Sequence, residues 1–427
     1  MKQFFAPFFL SVLTACAGTG VPLAPQQSPH FDAVSAQLQL GGTVYAYADI
    51  EGDSERAADF VLTLLRDMPG LFPPQQANRL NATSLVRILG LQNVQAIGLS
   101  SYAHDSLYHN RSFIQHAGDR EGLLKLFGGE PAAFDMLSIA PDDADLVWEQ
   151  QLDLRVLVDI VRALGELGVG MSPEELDRNL RQRVLDLDIT LGAIVEHLNT
   201  TVGLILAIDE NRPLHIPGES FWFPYTDFLF RIDGLGDLAD AIISRAATDP
   251  FIALERTGDW VIVRPAIKLP PPWNAYEPSV VKETATGRMY IVSSPAFLKK
   301  CIATTAGVTK TADFVRAFEQ LPMRGNGLTY FSPGLTRQMH AQLDRVIEIN
   351  GASIATSIAR FVLPDVGYPV GWVAQNAPEG LLITSNTPSS HKSTLLTLGY
   401  AALLPAAAVL GASLLAPEAP KPAESAD

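Results

Sequence analysis

The feature that most limits how this chain can fold is a change of hydrophobic period that recurs four times along it. An alternating apolar run, which marks a half-buried strand, gives way within a few residues to the 3.6-residue period of an amphipathic helix. The strand runs are residues 43–49, 145–150, 227–233 and 327–332; the helical runs that follow are 55–65, 152–167, 235–247 and 335–349. Spacing pairs the first two units with the last two, because Val44 to Leu146 spans about the same interval as Phe228 to Leu328. Ahead of the second and fourth strands stand Phe134-x-x-Leu137 and Phe318-x-x-Leu321. After their helices come Val202-Gly203-Leu204-Ile205 and Val370-Gly371-Trp372-Val373. Each of these strands then meets a polar break, at 209–213 and 376–380, before another strand at Leu214 and Leu381. The reading is two homologous halves, residues 39–224 and 225–390.

Between the paired elements lie hairpins. Residues 94–102 and 112–117 flank a polar turn, and 251–255 and 260–265 flank Thr257-Gly258-Asp259, where glycine supplies a positive φ. Long amphipathic helices are expected over 172–199, opened by Ser172-Pro173-Glu174-Glu175, and over 333–362. Strands joined by hairpins, with returning helices, give an α+β fold: internally duplicated antiparallel sheets with helices on one face.

The two ends carry membrane signals. Lys2, an apolar run from Phe4 to Leu13, and Leu13-Thr14-Ala15-Cys16 follow the grammar of a bacterial export signal. The last four match the lipobox of bacterial lipoproteins, so residues 1–15 are expected to be removed and Cys16 lipidated; plain secretion, with cleavage after Ala17, is the alternative. Residues 16–38, rich in Gly, Pro, Gln and Ser, read as a flexible tether. Residues 394–416 hold no charged side chain and are long enough to cross roughly 30 Å of hydrocarbon as a helix. Residues 417–427 read as a disordered acidic tail. A membrane contacted through the N-terminal lipid, the C-terminal helix or both, with the globular part outside the cytoplasm in the bacterial envelope, is the expected setting.

A net charge of −15 over 427 residues argues against nucleic acid, whose phosphates call for a basic surface. Cys301 is the only other cysteine, so a lipidated product has no intrachain disulfide; its apolar surroundings suggest a buried small hydrophobe. The runs Ile139-Ala-Pro-Asp-Asp-Ala-Asp-Leu-Val147, Met289-Tyr-Ile-Val-Ser-Ser-Pro-Ala-Phe-Leu298 and Asn326-Gly-Leu-Thr-Tyr-Phe-Ser-Pro333 resemble a family of exported bacterial envelope proteins of unknown function. The resemblance covers roughly residues 40 to 390 and implies an envelope location and a duplicated α+β domain. That family has no established catalytic residues, so none carries over.

Catalytic motifs do not stand out. Gly-x-Ser-x-Gly and HExxH are absent, Cys301 has no organised histidine partner in sequence, and Gly234-Leu-Gly236 lacks the remainder of a phosphate-binding loop. His104 and His109 across a turn, with Asp105 and the more distant His116, are weak metal candidates against a solvated hairpin loop. Asp209 to His215, with Glu219, reads as a polar turn. Asp49, Asp153 and Asp233 sit at strand-to-helix breaks, where carboxylates cap helices; an acid–base pair across a pseudo-twofold is the other possibility. The Phe221-Trp-Phe-Pro-Tyr225 run alternates as a packed strand would. Pro270-Pro-Pro-Trp-Asn-Ala-Tyr276 is a rigid loop whose Trp273 and Tyr276 could meet a ligand or partner. No cofactor is indicated. The expected function is a non-enzymatic, membrane-anchored envelope protein presenting its domain for binding or assembly, with another envelope protein as the candidate partner. Two alternatives stand beside it: a membrane-anchored hydrolase with a metal or carboxylate site between the halves, and a lipid- or peptide-binding module using the Trp273/Tyr276 loop.

Overall fold

The computed structural model describes residues 27–67, 78–184, 187–215, 217–218, 222–305, 307–353, 356–357, 359–360, 363, 365–393 and 395. The signal segment, Cys16, most of 394–416 and the acidic tail therefore lie outside the described residues. Among the described residues no helix is long and apolar enough to cross a membrane.

The described chain is α+β, and thirteen strands join in one antiparallel sheet. In chain order its strands are β1 (Val44–Asp49), β2 (Val94–His104), β3 (Leu107–His116), β5 (Leu146–Asp153), β6 (Asn199–His215) and β7 (Trp222–Ile232). They continue with β8 (Ile252–Thr257), β9 (Trp260–Pro265), β10 (Ser279–Glu283), β11 (Met289–Val292), β13 (Gly327–Phe331), β14 (Val370–Ala377) and β15 (Gly380–Thr387). Two short strands, β4 (Ala132–Ala133) and β12 (Arg324–Gly325), pair with each other apart from it. The sheet order is β1-β2-β3-β15-β14-β13-β5-β6-β7-β11-β10-β9-β8. Counted outward from the β13–β5 pair, β14 answers β6, β15 answers β7, and β3 answers β11. The sheet is thus continuous: β15, late in the chain, pairs with the early β3.

Helices cover both faces, which corrects the expectation of a single helical layer. The neighbours Val280 and Val281 decide the point, since successive strand residues point to opposite faces. Val281 joins the main core with Val147, Ile205, Leu229 and Leu328, under Phe297 and Leu298 of helix Pro295–Ala303 and Phe314 of helix Ala312–Ala317. We call this the front. Val280 packs on the back with Met289, Leu235 and Ala239, under helix Gly236–Ala246.

Other boundaries differ as well. The tether does not extend to residue 38, because helix Phe31–Gln37 docks on the front with Val34 fully buried and Leu38 nearly so. Both sit over Gly98, where any Cβ would collide with them. The proposed boundary at 224/225 falls inside β7, which forms a hairpin with β6. The break at 209–213 is a register irregularity within one long strand rather than a turn between two. The helix expected over 172–199 is two, Pro173–Leu180 and Leu191–Glu196; the first carries the capping box expected at Ser172, and Thr190 caps the second. The helix from Pro333 ends at Asn350, where Gly351 takes a φ of 79°.

The glycines of the two Val-Gly motifs occupy corresponding places. Gly203 pairs with Glu149 and Arg231, and Gly371 with Tyr330 and Asn386, all facing front. A side chain at Gly203 would meet Met136, two residues after Phe134; one at Gly371 would meet the carbonyl of Ala317, next to Phe318. At both, a front-side segment lies against bare strand backbone.

Candidate functional site

The front face carries a buried charge network. Arg231 is 2% exposed, and its guanidinium lies 3.2 Å from Asp233, 3.5 Å from Asp135 and 3.9 Å from Glu149. Arg288 reaches Asp135 at 2.6 Å, and Met136 N–H donates to Glu149 at 2.6 Å. Burial raises the Glu149 carboxyl above its ordinary range, against the pull of the Met136 N–H and Arg231. Burial also raises Asp233, while Arg231 and Arg288 oppose it. Two guanidiniums are shared by three carboxylates, so the groups are spent on one another and clamp β5, β7 and the approach to β11 together. Asp233 therefore belongs to this network and caps no helix. Asp153 binds Arg155 through side chain and backbone, and Asp49 accepts from Glu51 N–H, so the three aspartates form no shared site.

The histidines divide between the two faces. His109 and His104 both face front around Tyr102, whose ring centroid is 5.1 Å from that of His109. Asn386 donates its amide to the carbonyls of Ala317 and Glu319, so its oxygen is the acceptor facing His109 Nδ1 at 2.8 Å. Nδ1 therefore carries the proton, and burial holds the ring's pKa below its usual value. His104 lies against Glu319 at 3.2 Å. His116 has the opposite parity and stands roughly 20 Å further along β3. The three do not converge, and among the described residues no group of three such side chains could hold a metal. Cys301 is fully buried, and burial pushes its thiol up to about 12, which leaves no thiolate nucleophile.

The aromatic loop folds back on its own scaffold. Tyr276 stacks on Tyr225 with centroids 4.8 Å apart, and Trp273 lies 6.0 Å from Phe223. Both partners belong to the projecting β6–β7 hairpin, whose other side carries Arg345 over the Trp222 ring at 4.0 Å. Trp273 stays 46% exposed, but its loop serves mainly as a cover for the hairpin. Asp209 to His215 forms the irregular part of β6.

The back of the central strands is different. Trp372, Trp148, Leu204, Phe230 and Ile291 follow one register row across β14, β5, β6, β7 and β11, with Thr329 between the tryptophans. The next row holds Phe331, Leu146, Leu206 and Phe228. All nine apolar side chains are only half-buried, and none joins a core cluster. In the row on the other side, Gln150 and Val202 are buried. Three neighbouring strands read Leu146-Val147-Trp148, Leu204-Ile205-Leu206 and Phe228-Leu229-Phe230, apolar on both parities. Sheets wet on one face alternate apolar with polar; continuous apolar runs belong to strands covered on both. The strand sequences thus suit two covered faces, while among the described residues one is only half-covered. Sequence reasoning missed this surface because it treated each run as packing, though the missing alternation was readable. No protein-family model, curated protein or solved structure matches the chain.

Proposed function

We propose that this is a non-enzymatic, membrane-tethered envelope protein whose internally duplicated α+β domain offers the back of its central strands to an apolar segment of another envelope protein. The carrying observation is that surface: nine large apolar side chains in two register rows, half-buried, on strands whose sequences suit cover on both faces. Its two tryptophans and three phenylalanines match the residue preference of interface centres.

Duplication is supported by the strand order about the β13–β5 pair and by the matched glycines Gly203 and Gly371. Tethering is supported by the Lys2 to Cys16 signal, by the uncharged 394–416 segment and by the resemblance to exported envelope proteins. The chain also leaves the sheet on the back: His391 N–H donates to Ser101 Oγ at 3.0 Å, and its ring lies 3.1 Å from Ser112 Oγ. For the alternative of a hydrolase with a metal or carboxylate site between the halves, His104, His109 and His116 do not converge among the described residues.

The test replaces Trp148 by a photoreactive phenylalanine analogue in the full chain and irradiates intact membranes. A cross-link to a second protein that persists when the chain is cut after Ser393, and disappears with Phe230→Glu, is the expected result. A product lost on that truncation would mean that the chain's own tail covers the face; no product would mean an empty face, and either overturns the proposal. Mass analysis of the mature N-terminus tests the tether, which fails if Cys16 carries no lipid.

A further inference from the structure

A hollow lies at the β1–β3 end of the back face, and its walls are almost wholly apolar. It measures about 470 Å³, within the range of small-molecule sites. Helix Ser54–Asp67 turns Ser54, Ala57, Ala58 and Val61 toward it, the i, i+3, i+4, i+7 positions of one helix face. Helix Ala82–Leu89 supplies Leu85, Val86 and Leu89, and the sheet supplies Ile97 and Ile114 as floor. Alanines where such a face commonly carries leucine leave the volume unfilled.

We propose that this pocket binds one aliphatic chain bearing an uncharged head group. Along the walls nothing offers a hydrogen bond except Asp53 and Ser54 at one end, and the Ser54 hydroxyl already donates to Leu91 O at 3.2 Å. A ligand must therefore be apolar over its buried length, about 10 Å from Ser54 to Val61 along the helix. Its polar end belongs at Asp53. Around that end stand Glu51, hydrogen-bonded to His30 at 2.9 Å, Asp53, which holds Arg56 at 3.1 Å, and Glu55. A carboxylate or phosphate head would face a net excess of like charge, whereas a glycerol or amide head would not. The inference is independent of the sheet-face proposal, since the two surfaces share no residue.

Monododecanoylglycerol and dodecanoate carry the same chain on different heads. Titrated into the purified full chain at pH 8, below their aggregation concentrations, the glycerol ester should raise Tm and bind at least tenfold more tightly than dodecanoate by calorimetry. Ala58→Leu, which fills the hollow, should abolish the response, and Val61→Phe at the half-open rim does the same should Ala58→Leu not fold. Retention of binding in a filled variant, equal binding of both heads or no binding at all would each overturn the proposal.

Discussion

Arg231 shows what a single residue does here. A guanidinium 2% exposed near the end of β7 is tolerable only because Asp233, Asp135 and Glu149 surround it. Removing it alone, as in Arg231→Met, should cost roughly 3–5 kcal/mol in urea unfolding, because Glu149 is left charged and buried. Adding Glu149→Leu should recover much of that loss; two additive losses would show that the groups do not interact. The signal for this network lay in the sequence, since Arg231 shares the in-facing parity of Leu229. Two of its partners, Glu149 and Asp135, were not readable, because they come from β5 and from the segment before helix Met136–Ile139.

The buried histidines predict a pH response. His109, His116 and His391 are all held below 6.5, chiefly by burial. The folded state then binds fewer protons than the unfolded, so their contribution is complete above the unfolded pKa and declines as pH falls through about 6.5. The raised carboxylates Glu149, Asp145 and Asp233 act with the opposite sign, further toward acid. His109→Gln can still donate to Asn386 and does not titrate, so its urea midpoint should fall less than the parent's between pH 7.5 and 5.5. Equal falls would remove His109 from the account.

At the scale of elements, hairpins and strand-to-helix junctions were legible because local chemistry sets them. Gly258 takes a φ of 57° in the turn expected there, and Ser172 caps its helix through the box read from sequence. What failed depended on distant contacts. Residues 31–38 looked like tether until Gly98 gave Val34 and Leu38 a surface to enter. The break at 209–213 looked like a turn, yet β7 pairs on both sides of it and keeps β6 one strand. The paired glycines allow a direct test. Gly371→Ala drives a Cβ into the Ala317 carbonyl, which Asn386 also holds, and should cost about 1–3 kcal/mol. Gly203→Ala meets only the flexible Met136 side chain and should cost less by chemical denaturation. The reverse order would contradict the role given to backbone contact at Gly371.

For the whole molecule, the one-sheet architecture explains why the apolar rows matter. Antiparallel pairing across β13 and β5 sets strands from both parts of the chain side by side, so that Trp372 and Trp148 fall in one row with only Thr329 between them. Fold class was readable from hydrophobic period, and the half-covered apolar rows became visible only once strand order was known. Hydroxyl-radical footprinting tests the central claim most directly, with the chain read once purified and once in intact membranes. The account predicts that Trp148 and Trp372 are oxidised in the purified protein and protected in membranes. Silence in both states would make the face an ordinary core, equal oxidation in both would mean that nothing binds it, and either result would contradict the proposal.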